Sequence, residues 1–312
     1  MSEIQEQSSA TASADLQLLH STSVTPDQID LLGHMNVRYY GVHAMAGAHK
    51  LSRQIGLTTA AEAHFTDLYT RHYLEQLEGA PLEVWGGILD IADTEVRMYL
   101  ELRNPVREEL GATFVFTAQP PTFESQTESV LSHAVVTAAQ NALIEWPEHG
   151  KPRSIQLGSS PHIISYDEIR KLNLVEREVQ VIDGARCDKS GVYQVGLFQD
   201  LVWGGENITD EDNDWLSTLE NGDRMGWATM ESRCTLIELP HAGARVQSFW
   251  TTVEMTRKAQ QERFWIYDID RGVLLCTASF AEVAFNINTR RAIEIPDKER
   301  ARLGEHFHPE LA

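Results

Sequence analysis

The residues of this chain best suited to chemistry lie in one short run, Asp30-Leu31-Leu32-Gly33-His34-Met35-Asn36-Val37-Arg38-Tyr39-Tyr40. A carboxylate, a glycine, an imidazole and an amide precede a stretch whose apolar residues recur at helical steps. An ionised Asp30 can attack a carbonyl carbon or draw a proton from water. The free amides of a helix N-terminus can then hold the oxyanion that develops. Gly33 suits a close backbone approach or a turn of positive φ. His34 can position the turn or a substrate, and Asn36 can orient water or cap the helix. The backbone N–H groups of Val37 and Arg38 are the candidate oxyanion donors, and Tyr39 and Tyr40 the candidate pocket wall. Each also has a plain structural use, since Asp and Asn cap helices, histidines bond locally and aromatics fill cores.

The elements that must position this run are legible in the hydrophobic pattern. Val37, Tyr40, Ala44, Ala48, Leu51 and Ile55 fall at three- and four-residue steps, which predicts a helix over 37–55 with one buried face. Gly41 and Gly47 weaken that helix but let it lie close to a sheet, and Gly56 supplies a stop. Val96, Met98, Leu100 and Leu102 alternate with polar residues as in a half-buried strand, and 112–118 is a short apolar run. Three further strands are expected at 246–255, 262–270 and 273–287, with Asp270-Arg271-Gly272 as a hairpin turn.

The chain also repeats itself. Asp30-x-x-Gly33 recurs as Asp188-x-x-Gly191, and Thr70-Arg71 is echoed by Ser232-Arg233 at nearly the same offset. A second helix is expected near 194–203, with Val195, Phe198 and Val202 inward and a stop at Gly204-Gly205. Between the halves, Trp146 to Pro161 reads as a linker, followed by a Ser165-x-x-Glu168 capping box. The expected division is a disordered tail over 1–15, domains over 16–145 and 175–297, a linker over 146–174, and a C-terminal tail over 298–312.

The run Asp-x-x-Gly-His-Met-Asn at 30–36, set at a strand-to-helix junction, resembles the signature of hotdog-fold acyl-CoA thioesterases of the 4-hydroxybenzoyl-CoA thioesterase type. The resemblance is specific over 24–40 and general over 14–297. It implies an α+β fold, a double hotdog of two antiparallel sheets. Each sheet would wrap around a long central helix, with the two paired side by side and acyl-CoA at the seam. It implies hydrolysis of an acyl-CoA to acid and CoA, with Asp30 as nucleophile or general base, no cofactor and no metal. A homodimer of double hotdogs is a further expectation. In the second half Val192 and Gln194 stand where His34 and Asn36 stand in the first, so one working site is expected.

Alternatives stay open: an acyl-ACP thioesterase, a non-catalytic acyl-CoA-binding module, or a hotdog hydratase. Related hydratases space Asp and His five positions apart, against four here, which disfavours hydration. Asp200 is the next candidate acid should Asp30 be inert, with Glu206 noted beside it. Asp210-Glu211-Asp212-Asn213-Asp214 lacks the glycine and distal glutamate of a calcium loop and reads as a solvated acidic stretch. His306-Phe307-His308 reads as part of the tail.

Composition narrows the field. The net charge of −20, from 26 basic and 46 acidic residues, disfavours nucleic acid and anionic membranes as partners. It also opposes an anionic coenzyme, so a local basic cluster is required somewhere. Cys187, Cys234 and Cys276 lack metal-ligand spacing and suit a reducing cytoplasm. No window approaches a membrane span, and the Ser- and Glu-rich start lacks a signal peptide's pattern. A cytoplasmic protein is expected.

Overall fold

The computed structural model describes residues 16–30, 32–58, 63–121, 130–158, 162–203 and 217–312. Leu31, the tail over 1–15, the stop at Gly204-Gly205, Glu206 and the acidic run at 210–214 lie outside these residues. The chain divides into two units. The first is Met1–Pro152 with Val195–Leu197, and the second is Arg153–Gln194 with Phe198–Ala312.

In the first unit the 37–55 periodicity becomes α1 (Val37–Gln54), opened by Asn36, whose side chain accepts the Arg38 N–H. Tyr40, Ala44, Ala48 and Leu51 form its buried face, at 4% exposure or less. The residues around it form β1 (Gln17–Ser23), β2 (His64–His72), β3 (Pro81–Ile91), β4 (Val96–Asn104) and β5 (Glu109–Gln119). A short α2 (His133–Gln140) follows. The strands are antiparallel in the order β1-β3-β4-β5-β2. The helix approaches this sheet through Gly47, where a Cβ would stand 2.6 Å from Val84 Cγ1 and 3.3 Å from Leu100 Cδ2. Leu82, Val84, Leu100, Leu102, Phe114 and Phe116 are sealed from solvent, each worth about 1.5–3 kcal/mol of transfer free energy.

The second unit holds α3 (Tyr166–Ile169), β6 (Val175–Glu176), β7 (Gln180–Val181) and α4 (Phe198–Trp203). Then come β8 (Ser217–Thr218), β9 (Arg224–Leu236), β10 (Arg245–Met255), β11 (Ala259–Asp268), β12 (Val273–Asn286), β13 (Arg291–Ala292) and α5 (Asp297–Gly304). Its main sheet runs β6-β10-β11-β12-β9, the first unit's order again, with β9 in the place of β2. Register carries the repeat to single residues. Arg71 stands opposite Thr113, which stands opposite Glu101, and Arg233 opposite Ser279, which stands opposite Arg263. The second helix, expected near 194–203, is described only as far as Trp203. Val195–Leu197 is a 3-10 turn, and the described part of α4 covers six residues.

The 146–174 stretch, expected as a linker with a short helix, carries α3 behind the Ser165 capping box and makes contacts of its own. Arg71 Nη1 donates to the carbonyls of His149 and Lys151 at 2.8 Å each, holding that part to the first unit. Ile164, Ile169 and Leu174 join the core of Phe249, Trp265 and Tyr267 in the second. In the 298–312 stretch, expected as a C-terminal tail, Leu303 of α5 is buried, and Leu311 in a final turn joins the core of Phe249, Trp265 and Tyr267. Both segments carry a few apolar residues without clear period, so their burial depends on partners distant in sequence. Among the described residues no helix is long and apolar enough to cross a membrane.

Candidate active site

The Asp30 loop is built by local hydrogen bonds. Asp30 Oδ1 accepts the Leu32 N–H at 2.8 Å, and the Gly33 N–H donates to the Asp30 carbonyl at 3.0 Å. Gly33 sits at φ +81°, which a side chain would strain. The Asp30 N–H closes the turn on the His34 carbonyl at 2.9 Å. Two longer-range bonds anchor it, from Met35 N–H to the Gln76 carbonyl (2.7 Å) and from Asn36 N–H to the Gln28 carbonyl (2.8 Å).

This loop places the imidazole of His34 between two carboxylates. His34 Nδ1 is 3.4 Å from Asp30 Oδ2, and its Nε2 is 3.3 Å from Glu75 Oε1. His34 and Asp30 are largely enclosed, at 15% and 20% exposure, whereas Glu75 is 44% exposed. At the adjoining helix entrance the Asn36 amide is taken by Gln28, that of Arg38 by Asn36 Oδ1 (3.2 Å) and that of Tyr39 by the Asn36 carbonyl (3.0 Å). The Val37 N–H has no acceptor among the described residues. Of the two amides expected as oxyanion donors, Val37's is therefore open and Arg38's is occupied.

Tyr39 and Tyr40 are held by the protein itself. Tyr39 Oη donates to the Asp27 carbonyl at 3.3 Å, and the Arg38 guanidinium lies over its ring. Tyr40 is 4% exposed, and its hydroxyl donates to the Leu74 carbonyl and accepts the Gln76 N–H. Burial, aided by the Asp30 charge, pushes its phenol above the usual range despite the Gln76 bond, so it stays protonated.

Three contributors escaped the sequence reading. Glu75 is the first, since no spacing rule links it to His34. Gln28 uses its carbonyl for Asn36 and its Oε1 for both the Thr25 N–H and His43 Nε2, each at 3.3 Å. His43 is buried on α1, and burial with the nearby His20 ring lowers it to about 4. It is therefore neutral, and its Nε2–H donates to a Gln28 oxygen that already serves as acceptor. A helical histidine seven residues past the motif gave no sequence signal for that bond.

The second unit reproduces the loop almost bond for bond. Asp188 Oδ1 accepts from Ser190 and Val192, Gly191 N–H returns to the Asp188 carbonyl, and Gly191 sits at φ +84°. Gln194 N–H reaches the Arg186 carbonyl as Asn36 reaches Gln28. The fold thus uses Asp-x-x-Gly as a turn in both units. Only in the first does an imidazole face that aspartate. In the second, Val192 takes its place, and Ser190 Oγ adds a bond to Asp188.

The remaining candidates are placed elsewhere. Asp200 is buried on α4, where its charge adds to the burial that raises the Tyr193 phenol. Cys234 and Cys276 are buried, and Cys187 is pushed up by burial and by Asp188 and Asp183, the opposite of an activated thiol. His306 Nδ1 and His308 Nε2 both approach the Asn173 carbonyl, at 3.0 and 3.2 Å. No group of three or more His, Cys, Asp or Glu side chains able to hold a metal occurs among the described residues.

No family model matches this chain, and no curated protein matches it in sequence. Solved structures do match in three dimensions. A protein from Lactobacillus plantarum, provisionally named an oleoyl thioesterase, superposes with a TM-score of 0.63 at 10% identity, covering 88% of this chain and 97% of its own. An acyl-ACP thioesterase from Bacteroides thetaiotaomicron gives 0.62 at 9% identity, covering 86% and 98%. The 12:0-ACP thioesterase from Umbellularia californica gives 0.62 at 8% identity, covering 86% and 94%. Over nearly the whole length of each, this chain has the fold of these three thioesterases.

Proposed function

We propose that this chain is a double-hotdog thioesterase that hydrolyses an acyl-CoA to a free carboxylic acid and CoA. The observation that carries the reading is the difference between two equivalent turns. Asp30 and Asp188 share one backbone setting, yet Asp30 alone faces an imidazole, itself in contact with a second carboxylate beside an open helix amide. A turn needs none of these additions.

In this reading Asp30 Oδ2 attacks the thioester carbonyl or takes the proton of an attacking water, while Oδ1 stays tied to Leu32. The Val37 N–H donates to the developing oxyanion, a contact worth about 10² to 10³ in rate. His34 orients the Asp30 carboxylate, and Glu75 orients His34. Gly33 permits the turn and Asn36 holds the helix end. Tyr39 and Tyr40 shape the wall next to the motif. Hydrolysis of this kind draws on no cofactor.

Thiol release from short, medium, branched and aromatic acyl-CoAs, with Asp30→Asn beside wild type, tests the reading. Turnover that collapses in a folded variant supports it. Binding of acyl-CoA without turnover by wild type favours a binding module, and activity that survives the substitution moves the chemistry to Asp200. A second reading, with an acyl carrier protein in place of CoA, is favoured by the names of the Bacteroides and Umbellularia proteins. The same acyl group offered on both carriers separates the two, and the charge of −20 favours CoA over an acidic carrier.

A further inference from the structure

We propose that the second unit carries a binding site for a divalent transition-metal ion of the zinc class, formed by His306, His308 and the backbone carbonyl of Asn173, with Glu310 orienting His308. None of these residues takes part in the proposed hydrolysis, so the site stands or falls without it. The fold holds all of them in place. The His306 carbonyl accepts the Thr251 hydroxyl, and the His308 N–H donates to the Thr252 carbonyl at 3.0 Å. Between them Phe307 forms a bridge with Thr252 on β10, and residues flanking a bridged position turn to the same side. Asn173 is fixed from its own side. Its Nδ2 donates to the Glu305 carbonyl at 3.0 Å, and the neighbouring Leu174 is buried in the core that Leu311 joins.

The hydrogen-bonding capacity of His308 calls for a cation. Its Nδ1 lies 2.9 Å from Glu310 Oε1, and its Nε2 lies 3.2 Å from the Asn173 carbonyl oxygen. A neutral imidazole has one N–H and one lone pair for these two acceptors. The carboxylate, the stronger acceptor, takes the N–H at Nδ1. That turns the Nε2 lone pair onto a carbonyl oxygen, an approach that needs a positive centre between the two atoms. A second proton would serve His308 alone. A metal ion serves both rings, because His306 Nδ1 meets the same oxygen at 3.0 Å. Donors bound to one zinc ion at about 2.0–2.2 Å, with about 90–110° between them, stand about 2.8–3.5 Å apart. Both nitrogen–oxygen distances fall in that range. A carboxylate on the far nitrogen, as Glu310 is on His308, also fixes the tautomer of a metal-ligating histidine.

Two imidazoles and a carbonyl suit zinc, nickel(II) or copper(II), and supply too few oxygens for calcium or magnesium. Water completes the shell, since Asn173 and Glu310 are exposed and His308 is 19% exposed. The third donor is main chain, which agrees with the lack of any metal-holding group of three such side chains among the described residues. An ion bound there ties the segment after α5 to the residues before β6.

Calorimetry and thermal unfolding of the full chain, first stripped with a chelator, test this with zinc chloride near neutral pH and magnesium chloride as the comparison. Zinc should occupy one tight site per chain and raise the melting temperature, and magnesium should do neither. His306→Ala and His308→Ala should each weaken that site by about tenfold or more, and Glu310→Gln by about tenfold. His133→Gln, at the exposed start of α2, should bind zinc as wild type does. Glu310 is exposed, so its variant keeps the test open if a histidine variant fails to fold. The proposal falls if wild type binds no zinc, or if zinc shifts its melting no more than magnesium does. It falls equally if the His306, His308 and Glu310 variants bind zinc as wild type does; His308 then carries a second proton instead.

Discussion

Asp30→Asn divides chemistry from structure in a way the geometry makes quantitative. The amide is nearly isosteric, and its oxygen can still accept the Leu32 N–H now held at 2.8 Å. What disappears is the charge facing His34 at 3.4 Å. With both groups partly exposed, that contact contributes about 1 kcal/mol or less to stability. For a unit of roughly 150 residues, such a loss lowers the melting temperature by about 2–4 °C. Removing a general base costs about 10² to 10⁴ in rate, or about 3–5 kcal/mol at 1.36 kcal/mol per decade. We therefore expect kcat/KM for the best acyl-CoA to fall by about 10³ while the melting curve barely moves. Asp188→Asn serves as the internal control, because that residue occupies the same turn without an imidazole. It should leave kcat/KM within about twofold. Thiol release at saturating and limiting substrate gives the rates, and thermal unfolding of the same samples gives the stability. A folded Asp30→Asn with more than a tenth of wild-type activity, or an Asp188→Asn equally impaired, would refute the reasoning.

Further predictions address what supports the site and the interior. Gln28→Ala removes the acceptor of His43 and Thr25 beneath the Asn36 anchor; it should cost about 1–2 kcal/mol in urea unfolding and lower kcat more than it changes KM. Gly47→Ala would gain about 1 kcal/mol as a helix substitution in open space. Its Cβ instead meets Val84 at 2.6 Å, so net destabilisation of about 1–3 kcal/mol is expected. Burial raises Glu262 and Glu282 above the ordinary 4.5, and for Glu262 the charge of Glu282 adds to it. The folded state thus keeps a proton that the unfolded chain has lost, and stability falls as pH rises above about 4.5. Glu262→Gln should therefore be more stable than wild type at pH 8, with the gap closing toward pH 4.5; urea midpoints across that range check it. His72 is lowered by burial from 6.5 to about 4, so the unfolded chain binds protons first and stability is lost as pH falls through that window. His72→Phe should flatten the acid limb of the same curve.

The legible parts of the chain were those set by neighbours in sequence. The α1 stripe of Tyr40, Ala44, Ala48 and Leu51 follows from a 3.6-residue period. The Val96, Met98, Leu100 and Leu102 face of β4 follows from a two-residue period, although Tyr99 and Glu101 bury the face expected to be wet, and the Ser165 capping box follows from a three-residue reach. The Asp-x-x-Gly turn belongs to the same class, because its hydrogen bonds join residues two to four apart. Its recurrence at Asp188 shows that the turn itself is local chemistry.

Tertiary structure decided what that turn is set against. Glu75 reaches His34 from far along the chain because the residues after β2 run beside the loop, with the Gln76 carbonyl holding Met35. Which helix amide stays open also depended on distant partners, since Gln28 takes the amide of Asn36 and is itself held by His43. The 146–174 and 298–312 segments found partners the same way, through cores and carbonyl contacts with no periodic trace. Sequence by itself determined the helix, the strands and the twice-used aspartate turn, because dihedral preference and hydrophobic period act over a few residues. Only the folded chain decided that one of these aspartates faces an imidazole and a second carboxylate, because strand pairing brings together residues that no spacing relates.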